Sequence, residues 1–187
     1  MFNTDKGKTL LRLARAAIAG EFGFISDDLL RSRWLEEPGA TFVTLTLDDQ
    51  LHGCIGSLQA YRPLIDDVRE NAVAAAFYDP RFPPLSKEEF PRTLIEVSLL
   101  SKQESIRFSS EQDALAQLNP GLDGVVLEFG DHRATYLPQV WAQLPDPSAF
   151  IAQLKTKAGL PADFWSPDIR LSHYTVQNWH EYRQEGE

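Results

Sequence analysis

The chain has 187 residues, of which 43% are hydrophobic, and its 27 acidic and 18 basic residues give a formal net charge of −9. This length suits one domain, and the acidic balance disfavours nonspecific binding to nucleic acid or anionic lipid. No segment approaches the ~20 consecutive apolar residues that cross a bilayer, and the first residues lack the apolar core of a signal peptide. A single cysteine excludes an internal disulfide framework, so we expect a cytoplasmic protein.

The first predicted element is an amphipathic helix over residues 5–21, because apolar residues recur there at helical spacing. A short helical or irregular connection starts at residues 26–30 and closes at Pro38 and Gly39. The clearest strand follows at residues 41–47, where apolar and polar residues alternate. These patterns predict a helix that leads into a sheet.

A hairpin is predicted after this strand, with residues 48–50 as a three-residue loop that pairs Leu47 with Leu51. This register keeps the apolar alternation on one face, which carries Leu51, Gly53 and Ile55. His52 and Cys54 then share the other face, opposite Thr46 and Thr44.

Later helices are predicted at residues 63–77, 110–118 and 147–158, and later strands at residues 93–101, 124–129, 133–137 and 169–179. In the helix at 63–77, the residues expected to face outward are Asp66, Asp67, Arg69 and Glu70. Residues 79–84 hold too many prolines to be helical, and residues 86–89 fit a capping box. Residues 130–132 are expected to join the strands of a second hairpin. Hairpins mixed with helices predict an α+β fold with a mostly antiparallel sheet flanked by helices.

The best candidate site surrounds Cys54. His52, two residues away, would point to the same face of a regular strand, and an imidazolium there would favour the thiolate. Gly53 and Gly56 flank the cysteine, and glycine within a strand often marks a close approach to the backbone, such as by a small ligand. The alternative is a buried thiol that only packs, which is the commoner role of a free cysteine.

Two further pairs are candidates. Prolines hold Asp79 and Arg81, so the arginine could recognise an anion, or the pair could simply brace a loop. Glu96 and Ser98 lie on the polar side of a predicted strand, which is usually an ordinary solvent face. The four histidines form no metal-ligand spacing, so no metal site is expected, and no particular cofactor is indicated.

The chain resembles the AMMECR family, also called protein A of the AmmeMemoRadiSam system. The motifs that carry the resemblance stand in order over nearly the whole chain: Phe-Val-Thr-Leu at 42–45, Leu-His-Gly-Cys-Ile-Gly at 51–56, Asp-Pro-Arg-Phe-Pro-Pro at 79–84, Glu-Val-Ser at 96–98, Asp-Gly-Val at 123–125, Leu-Pro-Gln-Val at 137–140, and Lys-Ala-Gly-Leu at 157–160 before Trp165. One position departs from the family pattern, because His52 stands where the family usually has arginine.

The resemblance implies one AMMECR-type domain over residues 1–187, with a main body, a smaller subdomain and a cleft between them lined by the signature residues. It also implies association with a Memo-like protein and a radical-SAM protein. No nucleic-acid partner and no membrane are expected.

Two hypotheses follow for function. In the first, the chain is an enzyme or enzyme subunit that modifies a small molecule or macromolecule, with Cys54, His52 and Glu96 as the catalytic candidates. The substrate-binding candidates are then Gly53, Gly56, Asp79, Arg81, Ser98, Gln139 and Lys157. In the second, the chain is a non-catalytic adaptor or ligand-binding module, for a small molecule or a peptide, in which Cys54 is structural.

Overall fold

A computed structural model describes the chain over residues 4–24 and 32–182. The connection predicted at residues 26–30 lies outside these described ranges. The chain divides into two compact units, one comprising Met1–Leu100 with Gln177–Glu187 and the other Ser101–Val176. A search of the described residues finds no helix with both the length and the apolar character to cross a membrane.

The helices, in chain order, are α1 (Thr4–Glu21), α2 (Arg33–Glu36), α3 (Leu64–Phe77), α4 (Glu111–Ala116) and α5 (Pro147–Lys157). The strands are β1 (Pro38–Leu47), β2 (Gln50–Gly56), β3 (Arg62–Pro63), β4 (Thr93–Leu100), β5 (Glu104–Ile106), β6 (Gly124–Phe129), β7 (His132–Tyr136), β8 (Arg170–Tyr174) and β9 (Val176–His180). Short 3-10 turns lie at Phe90–Arg92 and Pro138–Ala142. Helix α2 lies within the short helical or irregular connection that was predicted to close at Pro38 and Gly39. Strands β3 and β5 were not predicted, because each is too short to show a period.

The first unit is a sheet with two helices packed on one face. Its described strands run in the order β2, β1, β4, β9, with β3 also paired to β1. Helices α1 and α3 contact each other and the sheet, and the apolar side chains between these layers form the core: Leu10, Leu13, Ile18, Val43, Leu45, Val68, Ile95 and Val97. Because side chains alternate along a strand, the residues between these on β1 and β4 point to the face away from the helices.

The hairpin of β1 and β2 differs from the predicted one at its tip. Leu47 pairs with Gln50, so the loop has two residues, and the predicted three-residue loop is wrong. Asp48 and Asp49 both have positive φ, at 48° and 65°, which is the backbone of a tight hairpin turn that aspartate tolerates. Leu51 therefore pairs with Thr46 and is 46% exposed, rather than lying on the packed face.

A bulge then restores the predicted register further along the hairpin. The pairing shifts between Leu45 and Thr46, so that Leu45 pairs with Gly53 and Thr44 with Cys54. The predicted position of Cys54 opposite Thr44 is confirmed. The bulge inserts one unpaired residue into β2 and so cancels the shorter loop.

Helix α3 buries its predicted apolar face. The prediction that Asp67 faces outward is wrong. Its carboxylate is 0% exposed and accepts hydrogen bonds from the amide and hydroxyl of Thr41, the hydroxyl of Ser57, and the side chains of Arg62 and Asn71. These donors lie on β1, on the chain after β2 and one turn along α3. A buried carboxylate is tolerated here because its oxygens are fully hydrogen-bonded.

The second unit has its own sheet and core. Its described strands run in the order β5, β8, β6, β7, and the recorded pairings are antiparallel. Trp141 and Phe150 stack at 3.7 Å between ring centroids and anchor a core that also includes Val125, Leu127, Ile151 and Leu171. The β6–β7 turn has two residues, because Phe129 pairs with His132 and Gly130 takes a φ of 55°, so the predicted three-residue loop is wrong.

The last predicted strand, residues 169–179, is two strands in different sheets. β8 pairs within the second unit, whereas β9 joins the sheet of the first. Between them, Thr175 donates from its amide to the hydroxyl of Ser101 and accepts from the Ser101 amide, which interrupts the ladder. The fold class is confirmed as mixed α and β, with antiparallel sheets flanked by helices.

Candidate functional site

Four of the predicted site residues lie on one face of the first unit's sheet. Thr44 of β1 pairs with Cys54 on one side and with Glu96 of β4 on the other. In the next row, Phe42 pairs with Gly56 and with Ser98. The sheet therefore brings Cys54, Glu96, Gly56 and Ser98 together on the face turned away from α1 and α3.

Strand β2 is an edge strand, and the predicted Asp79–Arg81 pair lies along that edge. The amide of Cys54 donates to Oδ2 of Asp79 at 2.9 Å, and the Arg81 guanidinium donates to the carbonyl oxygen of Cys54 at 3.1 Å. The backbone N–H and C=O of Cys54 both point away from β1, which is the arrangement of a non-hydrogen-bonded antiparallel pair. The Asp79–Arg81 pair therefore forms the hydrogen bonds to Cys54 that a neighbouring strand would otherwise form.

Asp79 and Arg81 also bind each other. The guanidinium donates to both carboxylate oxygens of Asp79, at 2.9 and 2.7 Å. These hydrogen bonds, with those from the amides of Cys54 and Arg81, hold the pKa of Asp79 well below its usual value, although burial acts in the opposite direction. The same contact raises the pKa of Arg81, whose side chain is 55% exposed and presents positive charge next to Cys54.

The thiol itself contacts the neighbouring strand. The hydroxyl of Thr44 donates to Sγ of Cys54 at 3.3 Å, and the cysteine side chain is half-buried. A donor at this distance stabilises negative charge on the sulfur. Within residues 4–24 and 32–182, the side chains of Glu96 and Ser98 make no hydrogen bond or ion pair, and a catalytic or binding role stays a prediction for both.

Gly53 and Gly56 are needed for packing. A Cβ on Gly53 would lie 2.0 Å from the carbonyl oxygen of Ala75 in α3, and one on Gly56 would lie 2.3 Å from the ring of Phe42. The close approach that their sequence positions indicate is therefore made by the protein's own atoms. A role in binding a ligand stays a prediction for both.

His52 does not stand where the sequence placed it. It is the extra residue of the bulge, so it does not pair with Thr46, and strand alternation no longer puts it beside Cys54. Its side chain is 8% exposed and its ring lies 6.1 Å from that of Phe82. Among the described residues, its Nε2 atom is buried with no hydrogen-bond partner. A catalytic role for His52 stays a prediction.

The last two candidates, Gln139 and Lys157, belong to the second unit. Gln139 is exposed on the 3-10 turn Pro138–Ala142. Lys157 ends α5, donates to the carbonyl oxygen of Thr135 at 2.9 Å and lies over the ring of Tyr136. Both side chains are exposed, and a substrate-binding role stays a prediction for each.

Sequence reasoning missed the role of Thr44. The predicted register put it opposite Cys54, but a threonine in a strand is ordinary and carries no signal of function. Over the described ranges, no group of three or more histidine, cysteine, aspartate or glutamate side chains is arranged to hold a metal ion. The site is therefore built from a thiol, a hydroxyl, a carboxylate and an ion pair.

Comparison with known proteins places this arrangement in a family. The AMMECR1 family model matches residues 11–179, which include every motif described above. The chain belongs to the AMMECR1 family. A protein of Methanothermobacter thermautotrophicus is 37% identical over 183 residues, covering 95% of each chain. A protein of Sulfolobus acidocaldarius is 40% identical over 171 residues, which cover 87% of this chain and 75% of the relative.

The AMMECR1 fold is also known from a crystal structure. The uncharacterised protein PH0010 from Pyrococcus horikoshii matches with a TM-score of 0.77 and 34% sequence identity, over 94% of this chain and 91% of that one. The resemblance to this family that the sequence motifs indicated is confirmed.

Proposed function

We propose that this AMMECR1-family chain is an enzyme, or a subunit of one, that modifies a small molecule or macromolecule in a cleft around the thiol of Cys54. The observation that carries the proposal is the row of Cys54, Thr44 and Glu96 on one face of the sheet. A thiol with a hydroxyl donor and a carboxylate beyond it contains the groups that a nucleophilic step needs.

The step would begin with attack by Sγ of Cys54 on an electrophilic acyl carbon of the substrate. Glu96, on the far side of Thr44 on the same face of the sheet, is the acceptor of the thiol proton, and the hydrogen bond that the Thr44 hydroxyl donates to Sγ stabilises the resulting thiolate. The leaving group departs with the bonding electron pair and takes that proton. Water or a second substrate then displaces the acyl group and returns the thiol.

The Asp79–Arg81 pair supports this step in two ways. It fixes the backbone N–H and C=O of Cys54, which limits the positions the thiol can take. The half-exposed guanidinium of Arg81 can also bind an acidic part of the substrate beside the sulfur. Gly53, Gly56, Ser98, Gln139 and Lys157 are further substrate-binding candidates, and His52 is a further candidate for moving protons.

Partners follow from the family resemblance. A Memo-like protein and a radical-SAM protein would act in the same modification, before or after the step at Cys54. We place this work in the cytoplasm, where a single free thiol stays reduced. Purification from the native host, with mass spectrometry of the proteins and small molecules that come with the chain, tests the assignment of partners.

The thiol is tested most directly by alkylation. Because Cys54 is the only cysteine, the intact mass after treatment with iodoacetamide reports on this residue alone. We expect the folded protein to react faster at pH 7 than the same protein unfolded in urea, and Glu96→Gln to slow the folded protein. A folded-state rate no higher than the unfolded rate contradicts an activated thiol.

One observation favours a second candidate function, a ligand-binding or adaptor module. The thiol of Cys54 is half-buried and already accepts a hydrogen bond from the Thr44 hydroxyl, as expected if the thiol only packs. The variants Cys54→Ser and Cys54→Ala separate the two functions in the native host. A binding module keeps its function in both variants, whereas an enzyme that needs the thiol loses it in both.

A further inference from the structure

A groove of about 650 Å³ lies on the sheet of the second unit, within the size range of small-molecule sites. Its lining includes two arginines, Arg107 and Arg170, two serines, Ser105 and Ser172, and one carboxylate, that of Glu128. All of its lining residues belong to Ser101–Val176, so the groove is independent of the chemistry proposed at Cys54.

The two arginines lie side by side. Strands β5 and β8 are antiparallel, with Ile106 paired to Leu171. Arg107 directly follows β5 and Arg170 begins β8, so both stand at the same end of this pair. Two positive side chains at neighbouring positions repel each other, and this costs stability unless negative charge lies close by.

The carboxylate in the groove lining is already shared with an arginine outside the groove. Glu128 of β6 pairs in register with Arg170, but it also pairs with Arg133 of β7 and forms an ion pair with it at 3.4 Å. Across the described parts of the chain, no ion pair or side-chain hydrogen bond is recorded for Arg107 or Arg170. The groove therefore holds excess positive charge in a protein with a formal net charge of −9.

Hydroxyl groups stand next to this charge. Ser105 pairs directly with Ser172, and each lies two residues from one of the arginines, which places these four side chains on one face of the sheet. Phe108 gives the groove an apolar wall, and its ring packs against Trp165 at 5.4 Å between centroids. Guanidinium groups with hydroxyl donors suit the several oxygens and double charge of a phosphate, and the apolar wall can cover an organic part.

We propose that this groove binds a small phosphorylated molecule, whose phosphate oxygens are held by Arg107, Arg170 and the hydroxyls of Ser105 and Ser172. Anion binding here relieves the repulsion between the two arginines. The site would give the protein a second ligand in addition to the substrate at Cys54.

The proposal is tested by titrating the full chain with inorganic pyrophosphate at low ionic strength and measuring the heat of binding by calorimetry. Single variants Arg107→Gln and Arg170→Gln are compared with Lys102→Gln, which removes the same charge from an exposed residue of the same unit that does not line the groove. We expect saturable binding that each groove variant weakens about tenfold and the control variant less than about twofold. Thermal unfolding checks that all variants fold.

Two results would overturn the proposal. One is the absence of saturable pyrophosphate binding by the unaltered protein. The other is an equal loss of affinity in Lys102→Gln, which would reveal nonspecific attraction to positive charge. Succinate serves as a dicarboxylate probe, and binding as tight as that of pyrophosphate would contradict the phosphate assignment. Cys54→Ala is expected to leave pyrophosphate affinity unchanged, so failure here is distinguishable from failure of the thiol chemistry.

Discussion

The amide of Cys54 donates a hydrogen bond of 2.9 Å to Oδ2 of Asp79, across a sequence separation of 25 residues. Asp79 in turn is held by Arg81, which also binds the carbonyl oxygen of Cys54. An edge strand normally leaves such groups open to another strand or to water. Here an ion pair occupies them, so the backbone that carries the thiol is both satisfied and fixed.

Removal of the charge on Asp79 tests how much the Asp79–Arg81 pair contributes to the stability of the fold. We expect Asp79→Asn to lower the free energy of unfolding at pH 7 by about 1–3 kcal/mol, because hydrogen bonds to a charged group are among the stronger ones. Urea unfolding measures the difference. Asp66→Asn, an exposed carboxylate on α3, is the control and should cost less than about 1 kcal/mol.

The same pair predicts a pH dependence. The pKa of Asp79 is lowered on folding, so its ionised form stabilises the folded state fully above the unfolded pKa of about 4. This contribution is lost as the pH falls below that value towards the folded pKa. The difference in unfolding free energy between the unaltered protein and Asp79→Asn should therefore shrink between pH 5 and pH 3. A constant difference over that interval contradicts the lowered pKa.

Gly53 should be intolerant of any side chain. Because a Cβ there would lie 2.0 Å from a backbone oxygen of α3, Gly53→Ala should lower the free energy of unfolding by about 1–3 kcal/mol. Gly20→Ala is the matched control, since nothing lies within 4 Å of its added methyl group and alanine favours a helix by about 0.5–1 kcal/mol. The prediction fails if both variants shift stability in the same direction.

The buried hydrogen-bond network around Asp67 can be tested by comparing two neighbouring carboxylates of α3. Asp67→Ala leaves the donors of Thr41, Ser57, Arg62 and Asn71 without their acceptor, and we expect a loss of about 3–5 kcal/mol. Asp66→Ala changes the neighbouring carboxylate in the same first turn of α3, where the effect on the helix dipole is similar. Urea unfolding of both variants separates the contribution of the hydrogen-bond network from that of the helix dipole. Similar losses of unfolding free energy in the two variants would contradict the prediction.

The hydroxyl of Thr44 should govern the reactivity of Cys54. Removing a hydrogen bond of about 1 kcal/mol from the sulfur corresponds to a rate about fivefold lower, so Thr44→Val should slow iodoacetamide alkylation by that factor. Thr46→Val lies on the same face and pairs with Leu51, away from the thiol, and should leave the rate unchanged. Equal rates in the two variants would show that the contact does not act on the sulfur.

Local patterns predicted much of this molecule correctly. Helices α1 and α3, strands β1 and β4, and the capping box of Ser86 and Glu89 all stand within a few residues of their predicted positions. The opposition of Cys54 and Thr44 was also predicted, because alternation of apolar residues sets which face of a strand is buried. Such signals arise from residues close in the chain, where helix and strand periods are visible.

The remaining features depend on contacts between distant residues. Asp67 was predicted to lie on the surface of α3, but donors from β1 and from the chain after β2 bind its carboxylate. His52 does not pair with Thr46 as predicted, because the hairpin loop is one residue shorter and a bulge compensates for the difference. The extended segment near Thr175 was divided between two sheets by contact with Ser101. The periodicity of a sequence reports average burial along one element, whereas these outcomes follow from which hydrogen-bonding groups meet across elements. The face that carries Cys54 could therefore be predicted from its pattern of residues, while the ion pair that holds the backbone N–H and C=O of Cys54 depends on contacts that exist only in the folded chain.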